Sequence, residues 1–408
     1  MEAAAGFISR AGRGIENPIL EQGGIARELE RQGGKLIMIN IGDPGIYFRM
    51  PRNIAWAFKK AVDEGHTNYL REQGLEELRE AVSDRYKGLY GIEFSGDDVV
   101  ITQGVSEALS FMNQAMIDPG DAAVIFRPFF TEYLTYLKLS GGVAILPPLD
   151  EKRGWDISIG ELDDALRSHA GKRPKYMLIT NPNNPTGTVL SEKAIREAIE
   201  IAKDNDMFVV SDEVYDELLY NGAAFTSVGK LAKGIPHLLL NGASKNYMST
   251  GLRIGFAIFP EQDTKTQALK RTFIGMAGAR LSANTPSQYA MLEGLRNTAK
   301  HQEFIREKAA QIASQSVHAA RLVNETGFLT TVQPNSAFYL FARIHLDKLS
   351  LRDDREFVEL LLREQKVQLT RGSGFGMPGF IRIVTLPSEA VLTEAIRRIK
   401  RFCEDHQR

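Results

Sequence analysis

The sequence predicts an α/β protein: a mostly parallel central sheet in a large domain, with a smaller α+β domain beside it. Three observations support this. Short apolar runs alternate with stretches of helical spacing through the middle of the chain. Ser106, Asn184, Asp212 and Lys245 each fall just past the end of one of those apolar runs. After about residue 290 the alternation gives way to a long charged helical stretch followed by a few further strands.

Val99–Thr102 reads as a buried strand, followed by Gly104, by Ser106 as a helix N-cap, and by Leu109, Met112, Met116 and Ile117 at helical spacing. Ala122–Phe126 is a second strand, leading into a helix through Tyr133, Tyr136 and Leu137. Tyr176–Thr180 stops at Asn181-Pro182, and Ile195, Ala198, Ile199 and Ala202 then line one helix face. Met207–Val210 ends at Asp212, and Leu238–Leu240 ends at Asn241-Gly242. In parallel sheets, ligands bind at the carboxyl ends of the strands. Residues 287–325 read as mostly helical. Ala337–Ala342 and Phe380–Val384 read as strands, Arg355–Gln365 and the stretch through Val391, Ala395, Ile396 and Ile399 as helices. The expected division is an N-terminal arm over 1–48 that packs on the small domain, a large domain over 49–295 and the small domain over 296–408.

At 408 residues the chain exceeds one ordinary core. Its 50 Lys and Arg against 51 Asp and Glu create no net field for nucleic acid or an anionic membrane. No apolar run reaches membrane-spanning length, and the opening residues, broken by Arg10 and Arg13, do not read as a secretory signal. One cysteine, Cys403, allows no intrachain disulfide, and the seven scattered histidines form no metal-ligand spacing. A cytoplasmic protein without a metal is expected.

Lys245, in Ser244-Lys245-Asn246, follows the apolar run beginning at His237, and Arg253 lies eight residues on. An amine there can form a Schiff base with an aldehyde cofactor, and a nearby guanidinium can hold that cofactor's phosphate. Two ordinary surface cations would read the same way, so the case rests on what converges on them. Asn181-Pro182-Asn183-Asn184-Pro185-Thr186-Gly187 is rich in turn formers. Asp212 ends a strand and would also serve as a helix N-cap. Gly104-Val105-Ser106 suits either a tight turn or an anion site at a helix N-terminus. Arg382 sits within an apolar strand pattern, where an unpaired guanidinium would be costly. Gly372-Ser373-Gly374-Phe375-Gly376 resembles a dinucleotide fingerprint, but a strand follows it rather than a helix, so a loop is expected.

Taken in order, the Asn-Pro-x-Asn-Pro-Thr-Gly loop, Ser211-Asp212-Glu213-Val214-Tyr215, Ser244-Lys245 with Arg253, and Arg382 resemble the fold-type I, class I aminotransferases that depend on pyridoxal 5'-phosphate. The likeness covers nearly the whole chain and is greatest to archaeal alanine and aspartate aminotransferase-like proteins. It implies a seven-stranded central sheet and a large domain that binds the cofactor. Lys245 would form the internal aldimine and shuttle the proton. Asp212 would pair with the pyridine nitrogen, and Tyr215 and Asn184 with the ring 3'-oxygen. Phe130 would stack on the ring, although core packing explains any phenylalanine. Gly104, Val105, Ser106, Ser244 and Arg253 would cradle the phosphate, joined by Tyr69 from the neighbouring subunit of a homodimer. Arg382, whose planar fork suits a carboxylate, would hold the substrate α-carboxylate with Gly42 and Asn184. One position departs from the family: Gly242 stands where a phosphate-binding serine is common, and backbone amides or another donor are expected to compensate.

The expected reaction moves an amino group by ping-pong chemistry from an L-amino acid, such as alanine or aspartate, to a 2-oxo acid such as 2-oxoglutarate. A β-lyase or decarboxylase on the same scaffold is the nearest alternative. A cofactor-sensing regulator is remote, because no basic helix-turn-helix region precedes residue 50, and no phosphate-loop motif supports a nucleotide-binding protein. Arg280 and, more weakly, Arg49 are candidates for reading a substrate side chain, with a salt bridge the ordinary alternative for Arg280.

Overall fold

The computed structural model describes residues 7–13 and 15–408. Its central sheet is built from β1 (Val99–Thr102), β2 (Ala122–Ile125), β3 (Val143–Ile145), β4 (Pro174–Thr180), β5 (Phe208–Asp212), β6 (His237–Gly242) and β7 (Gly255–Ile258). In space these run β3-β2-β4-β5-β6-β7-β1. The pairs from β3 through β6 are parallel, and β7 runs antiparallel to both β6 and β1. The strands β1, β2, β5, β6 and β7 are buried along their whole length. Helices on both faces cause this, and it explains why the strands read as continuous apolar runs rather than alternating ones. Such a sheet sends every parallel strand end to one edge. The loops after β1, β2, β4, β5 and β6, and the turn entering β7, all open there.

The first apolar run fits this scheme, with one correction. The helix after β1 spans Val105–Met116, and its N-cap is Gly104, not Ser106. Gly104 has φ 74°, a conformation that glycine adopts without the Cβ clash of other residues. Ser106 lies in the first helical turn.

A second sheet contains β8 (Leu329–Thr331), β9 (Tyr339–Ile344), β10 (Thr370–Arg371) and β11 (Phe380–Val384), in the order β8-β9-β11-β10, all antiparallel. The stretch read as one helical region is two helices, Thr285–Arg296 and Thr298–Asn324, meeting at Asn297. Residues Ile37–Met38 pair in parallel with Val367–Gln368 in a separate two-stranded ladder, and the backbone N–H of Val384 donates to the carbonyl of Ile39 at 2.9 Å. Arg371 clasps Glu21 through Nε at 2.6 Å and Nη2 at 3.0 Å, fixing the same segment a second time. The glycine-rich stretch Gly372–Phe375 is a short 3-10 turn leading toward β11, so no helix carries a dinucleotide site there.

Candidate active site

A cavity of about 300 Å³ opens at the strand-end edge of the central sheet, between it and β11. Its lining includes Gly42, Val105, Ser106, Phe130, Asn184, Asp212, Tyr215, Ser244, Lys245, Arg253 and Arg382. These residues come from seven separate segments. Strand ends of the central sheet deliver five of them; the N-terminal segment brings in Gly42, and Arg382 projects from the middle of β11.

Lys245 Nζ donates a 2.8 Å hydrogen bond to the carbonyl of Gly42. The side chain keeps an edge on the cavity, while its amine is removed from bulk water. That desolvation brings its pKa down to about 8. Asp43 opposes the shift, and the positive charges of Arg382 and Arg253 add to it. A substantial fraction of the amine is therefore neutral near pH 8, where an ordinary lysine is almost fully protonated.

Asp212 is buried at the end of β5 and no helix follows it, so it is not an N-cap. Tyr133 donates to Oδ2 at 2.7 Å, and the backbone N–H of Val214 donates to Oδ1 at 3.3 Å. Tyr133 in turn accepts from the hydroxyl of Thr180 at 3.1 Å. Burial raises the Asp212 pKa to about 6 against the pull of these donors and of Lys245. No cation is ion-paired with it among the described residues. A buried carboxylate with one open side calls for a positive partner.

Arg382 is buried on β11. Its Nη1 donates to Oδ1 of Asn184 at 3.1 Å and its Nη2 to the carbonyl of Asn40 at 2.6 Å. The guanidinium lies 4.8 Å from the ring centroid of Tyr339 and 4.7 Å from that of Phe375. Its buried Nε has no hydrogen-bond partner among the described residues. The Tyr215 and Tyr339 hydroxyls are 2.9 Å apart.

At the other end, Arg253 donates from Nη1 to the carbonyl of Thr250 at 3.0 Å. Its backbone is left-handed, with φ 54°, which costs a non-glycine residue on the order of 1 kcal/mol or more. A Cβ on Gly104 would come within 2.5 Å of Nη2 of Arg253, so glycine there lets the guanidinium reach the N-terminus of the Val105–Met116 helix. Cation and helix N-terminus together make an anion cradle. Gly242 is explained by the same crowding: a Cβ there would meet the carbonyl oxygen of Ile254 at 2.5 Å and the Cα of Gly255 at 3.0 Å. The β6–β7 pairing therefore leaves no room for a serine.

Three expected residues lie elsewhere. Tyr69 is 73% exposed and outside the cavity of its own chain. Arg280 bridges Glu107 at 3.2 Å and donates to the carbonyl of Ile101 at 3.0 Å. Arg49 is exposed and does not line the cavity. Four contributors escaped the sequence reading: Tyr133, Tyr339, Asn40 and Glu132. Tyr133 and Tyr339 read as core aromatics of a helix and a strand. Their hydroxyls acquire polar partners only through contacts with residues 47 to 124 positions away.

Fold and site together define a fold-type I α/β enzyme. A family model described as aminotransferase class I and II matches residues 38–399, and the chain belongs to that family. It is 33% identical to the glutamate-pyruvate aminotransferase AlaA of Haemophilus influenzae, over 96% of each chain. It is 32% identical to the aspartate aminotransferase of Bacillus subtilis, over 93% of this chain and 94% of that one. The alanine aminotransferase structure from Pyrococcus furiosus superposes with a TM-score of 0.93 at 32% identity, covering 98% of this chain and all of that one. The protein is an amino-acid transaminase, and its family works with pyridoxal 5'-phosphate.

Proposed function

We propose that Lys245 holds the cofactor and moves the proton in transfer of an amino group from an alanine- or aspartate-like amino acid to a 2-oxo acid such as 2-oxoglutarate. The observation that carries this reading is the shared cavity of Lys245 and Asp212. It holds an amine whose pKa is brought to about 8 and a buried carboxylate with no ion-paired cation among the described residues.

The residues present fit pyridoxal phosphate. Asp212 lacks a positive partner and would gain one from a protonated ring nitrogen. The cradle of Gly104, Val105, Ser106, Ser244 and Arg253 suits a phosphate, with helix amides in place of the hydroxyl that Gly242 cannot supply. Phe130, Tyr215 and Asn184 line the same cavity; Phe130 would face the ring, and Tyr215 and Asn184 would donate to a ring oxygen. When bound, the cofactor supplies an electron sink that stabilises negative charge at the amino acid Cα.

The chain's own groups do the rest. Arg382 grips the substrate α-carboxylate, helped by Asn184 and the backbone of Gly42, and so fixes which face of Cα is presented. Asp212 keeps positive charge at the far side of the site. Lys245 Nζ, neutral once released, takes the Cα proton and returns it to a neighbouring carbon. Ile19 and Leu20 of the N-terminal segment line the cavity with apolar surface and would limit water there. Tyr69, exposed and outside the cavity of its own chain, would serve the site of a second copy, so a homodimer with shared sites belongs to this reading. So does a cytoplasmic setting: among the described residues no helix is long and apolar enough to cross a membrane.

Product analysis tests the reaction. Holoenzyme given alanine or aspartate should release the matching 2-oxo acid continuously only when a 2-oxo acid acceptor is added. Sustained release of ammonia without any acceptor would instead support the lyase alternative.

A further inference from the structure

Tyr339 opens β9, is 2% exposed and lines the same cavity. Its place follows from strand register. Tyr339 and Phe341 share one face of β9, opposite Val384 and Arg382 on β11. Arg382 is thus the diagonal neighbour of Tyr339, a separation that an aromatic ring and a long side chain can span. Its guanidinium lies 4.8 Å from the ring centroid.

The far end of Tyr339 meets the large domain. Its hydroxyl is 2.9 Å from that of Tyr215, which is buried in the loop after β5. It also packs directly on the N-terminal segment. A Cβ on Gly42 would collide with the Tyr339 hydroxyl and come within 2.9 Å of ring carbons Cε1 and Cζ. The carbonyl of that same glycine accepts from Lys245 Nζ at 2.8 Å. The backbone is seated as closely. A Cβ on Gly187, at the end of the Asn184 loop, would collide with the Tyr339 carbonyl oxygen. Just before β9, the backbone N–H of Ala337 donates to the carbonyl of Leu218 at 2.9 Å. One side chain therefore touches Arg382, Tyr215 and Gly42 together.

A hydroxyl has one hydrogen to give and two lone pairs to receive. Tyr215 can accept from Tyr339 and still donate to a ring oxygen. Burial raises the Tyr339 pKa, and Arg382 is the largest effect opposing that rise. A cation beside the ring makes this hydroxyl a better donor, and linked hydroxyls strengthen each other's hydrogen bonds. We infer that Tyr339 is a positioning residue of the transaminase site: it donates to the Tyr215 hydroxyl, aims that hydroxyl's own hydrogen at the cofactor ring oxygen, and fixes it relative to the guanidinium that grips the substrate carboxylate. A donor on the ring oxygen stabilises negative charge there and so opposes protonation of the bound cofactor. The inference rests on the roles proposed for Tyr215 and Arg382 and adds the side chain that joins them.

The test uses holoenzyme carrying Tyr339→Phe, which removes the hydroxyl and keeps the ring beside Arg382, and Tyr339→Leu, which removes both. The pKa of the bound cofactor is read from an absorbance titration, which needs no turnover. It should rise by about half a unit to one unit in Tyr339→Phe, the equivalent of one hydrogen bond. The same substitution in a Tyr215→Phe background should add nothing, because the bond acts only through Tyr215. Half-reaction kcat with alanine should fall about threefold to tenfold in Tyr339→Phe at nearly constant KM, while Tyr339→Leu should raise KM as well. An unmoved or lowered cofactor pKa in Tyr339→Phe, or an equal rise in the Tyr215→Phe background, would overturn the inference and leave the transaminase reading intact. An unmoved titration in Tyr215→Phe alone would instead remove the role of Tyr215 on which the inference rests.

Discussion

The hydroxyl of Tyr133 donates a 2.7 Å hydrogen bond to Oδ2 of Asp212, and is itself held by Thr180 at 3.1 Å. This chain of three residues links β4, the helix after β2 and the end of β5. It keeps a buried carboxylate from becoming neutral altogether: burial drives the Asp212 pKa up to about 6, and the Tyr133 hydrogen bond is the largest opposing effect. Tyr133→Phe should raise that pKa by about one unit, since a hydrogen bond to a charged group contributes about 1.5–3 kcal/mol. The pH below which cofactor affinity declines should move up by the same amount. An unmoved pH profile would mean that Tyr133 is only packing.

Asp212 also makes a statement about stability. Its folded pKa, near 6, lies above its unfolded value of 3.8. The cofactor-free chain is therefore most favoured by this group below pH 3.8, and that contribution is lost as pH rises through 6. Above pH 6 the buried charge costs on the order of 2–3 kcal/mol. Cofactor-free Asp212→Asn should melt higher than wild type at pH 7, with the gap closing toward pH 4. With cofactor added, wild type should gain far more thermal stability than the variant.

The pH dependence of Lys245 runs on its free amine. With a pKa near 8, the reactive neutral form grows tenfold per pH unit below that value and levels off above it. Cofactor capture by the cofactor-free protein, followed by its absorbance change, should accelerate from pH 6 to 8 and flatten by pH 9. Continued acceleration toward pH 10 would mean that the amine has an ordinary lysine pKa.

Behind the site lies a buried ionic network. Arg85 donates to Asp216 at 2.8 Å and to Glu217 at 2.6 Å. Asp216 also accepts from Asn246, the neighbour of Lys245. Glu217 meets His301 at 3.0 Å and Gln302 at 2.9 Å on the long helix Thr298–Asn324. One guanidinium thus ties down the loops carrying Tyr215 and Lys245. Arg85→Met should destabilise the protein by about 3–5 kcal/mol, the cost of leaving buried carboxylates uncompensated, as read by chemical denaturation. A loss below about 1 kcal/mol would mean that the network is solvated.

Gly242→Ser should not improve cofactor affinity. Its Cβ would press on the Ile254 carbonyl, and overpacking of this kind costs about 1–3 kcal/mol. A variant that binds cofactor more tightly at unchanged melting temperature would contradict the steric account.

Much of this architecture was legible in the chain because parallel strands buried on both faces leave continuous apolar runs. The polar residue closing each run, Asp212 among them, marks the binding edge. Lys245, Asp212 and Asn184 stand out for that reason, and Arg382 because a guanidinium interrupts an apolar strand; the structure brings all four to one cavity. Boundaries were less visible. Ser106 looked like an N-cap because serine favours that position, but the left-handed turn at Gly104 starts the helix two residues earlier. Tyr133 and Glu132 were hidden for a different reason. A tyrosine or glutamate in a helix start has the same local pattern whether or not a distant strand end delivers a partner or a cavity to it. Gly242 looked like a missing hydroxyl, and only the register of β6 against β7 shows that it is a packing requirement.

The central claim is that Lys245 is the amine that takes the cofactor. The direct measurement is to load the protein with pyridoxal phosphate, fix it with a hydride reductant, digest, and map the modified lysine by mass spectrometry. The account requires the cofactor mass on the peptide carrying Ser244-Lys245-Asn246, one equivalent per chain, and none in Lys245→Ala. Stoichiometric labelling at another lysine, or undiminished labelling in the variant, would contradict it.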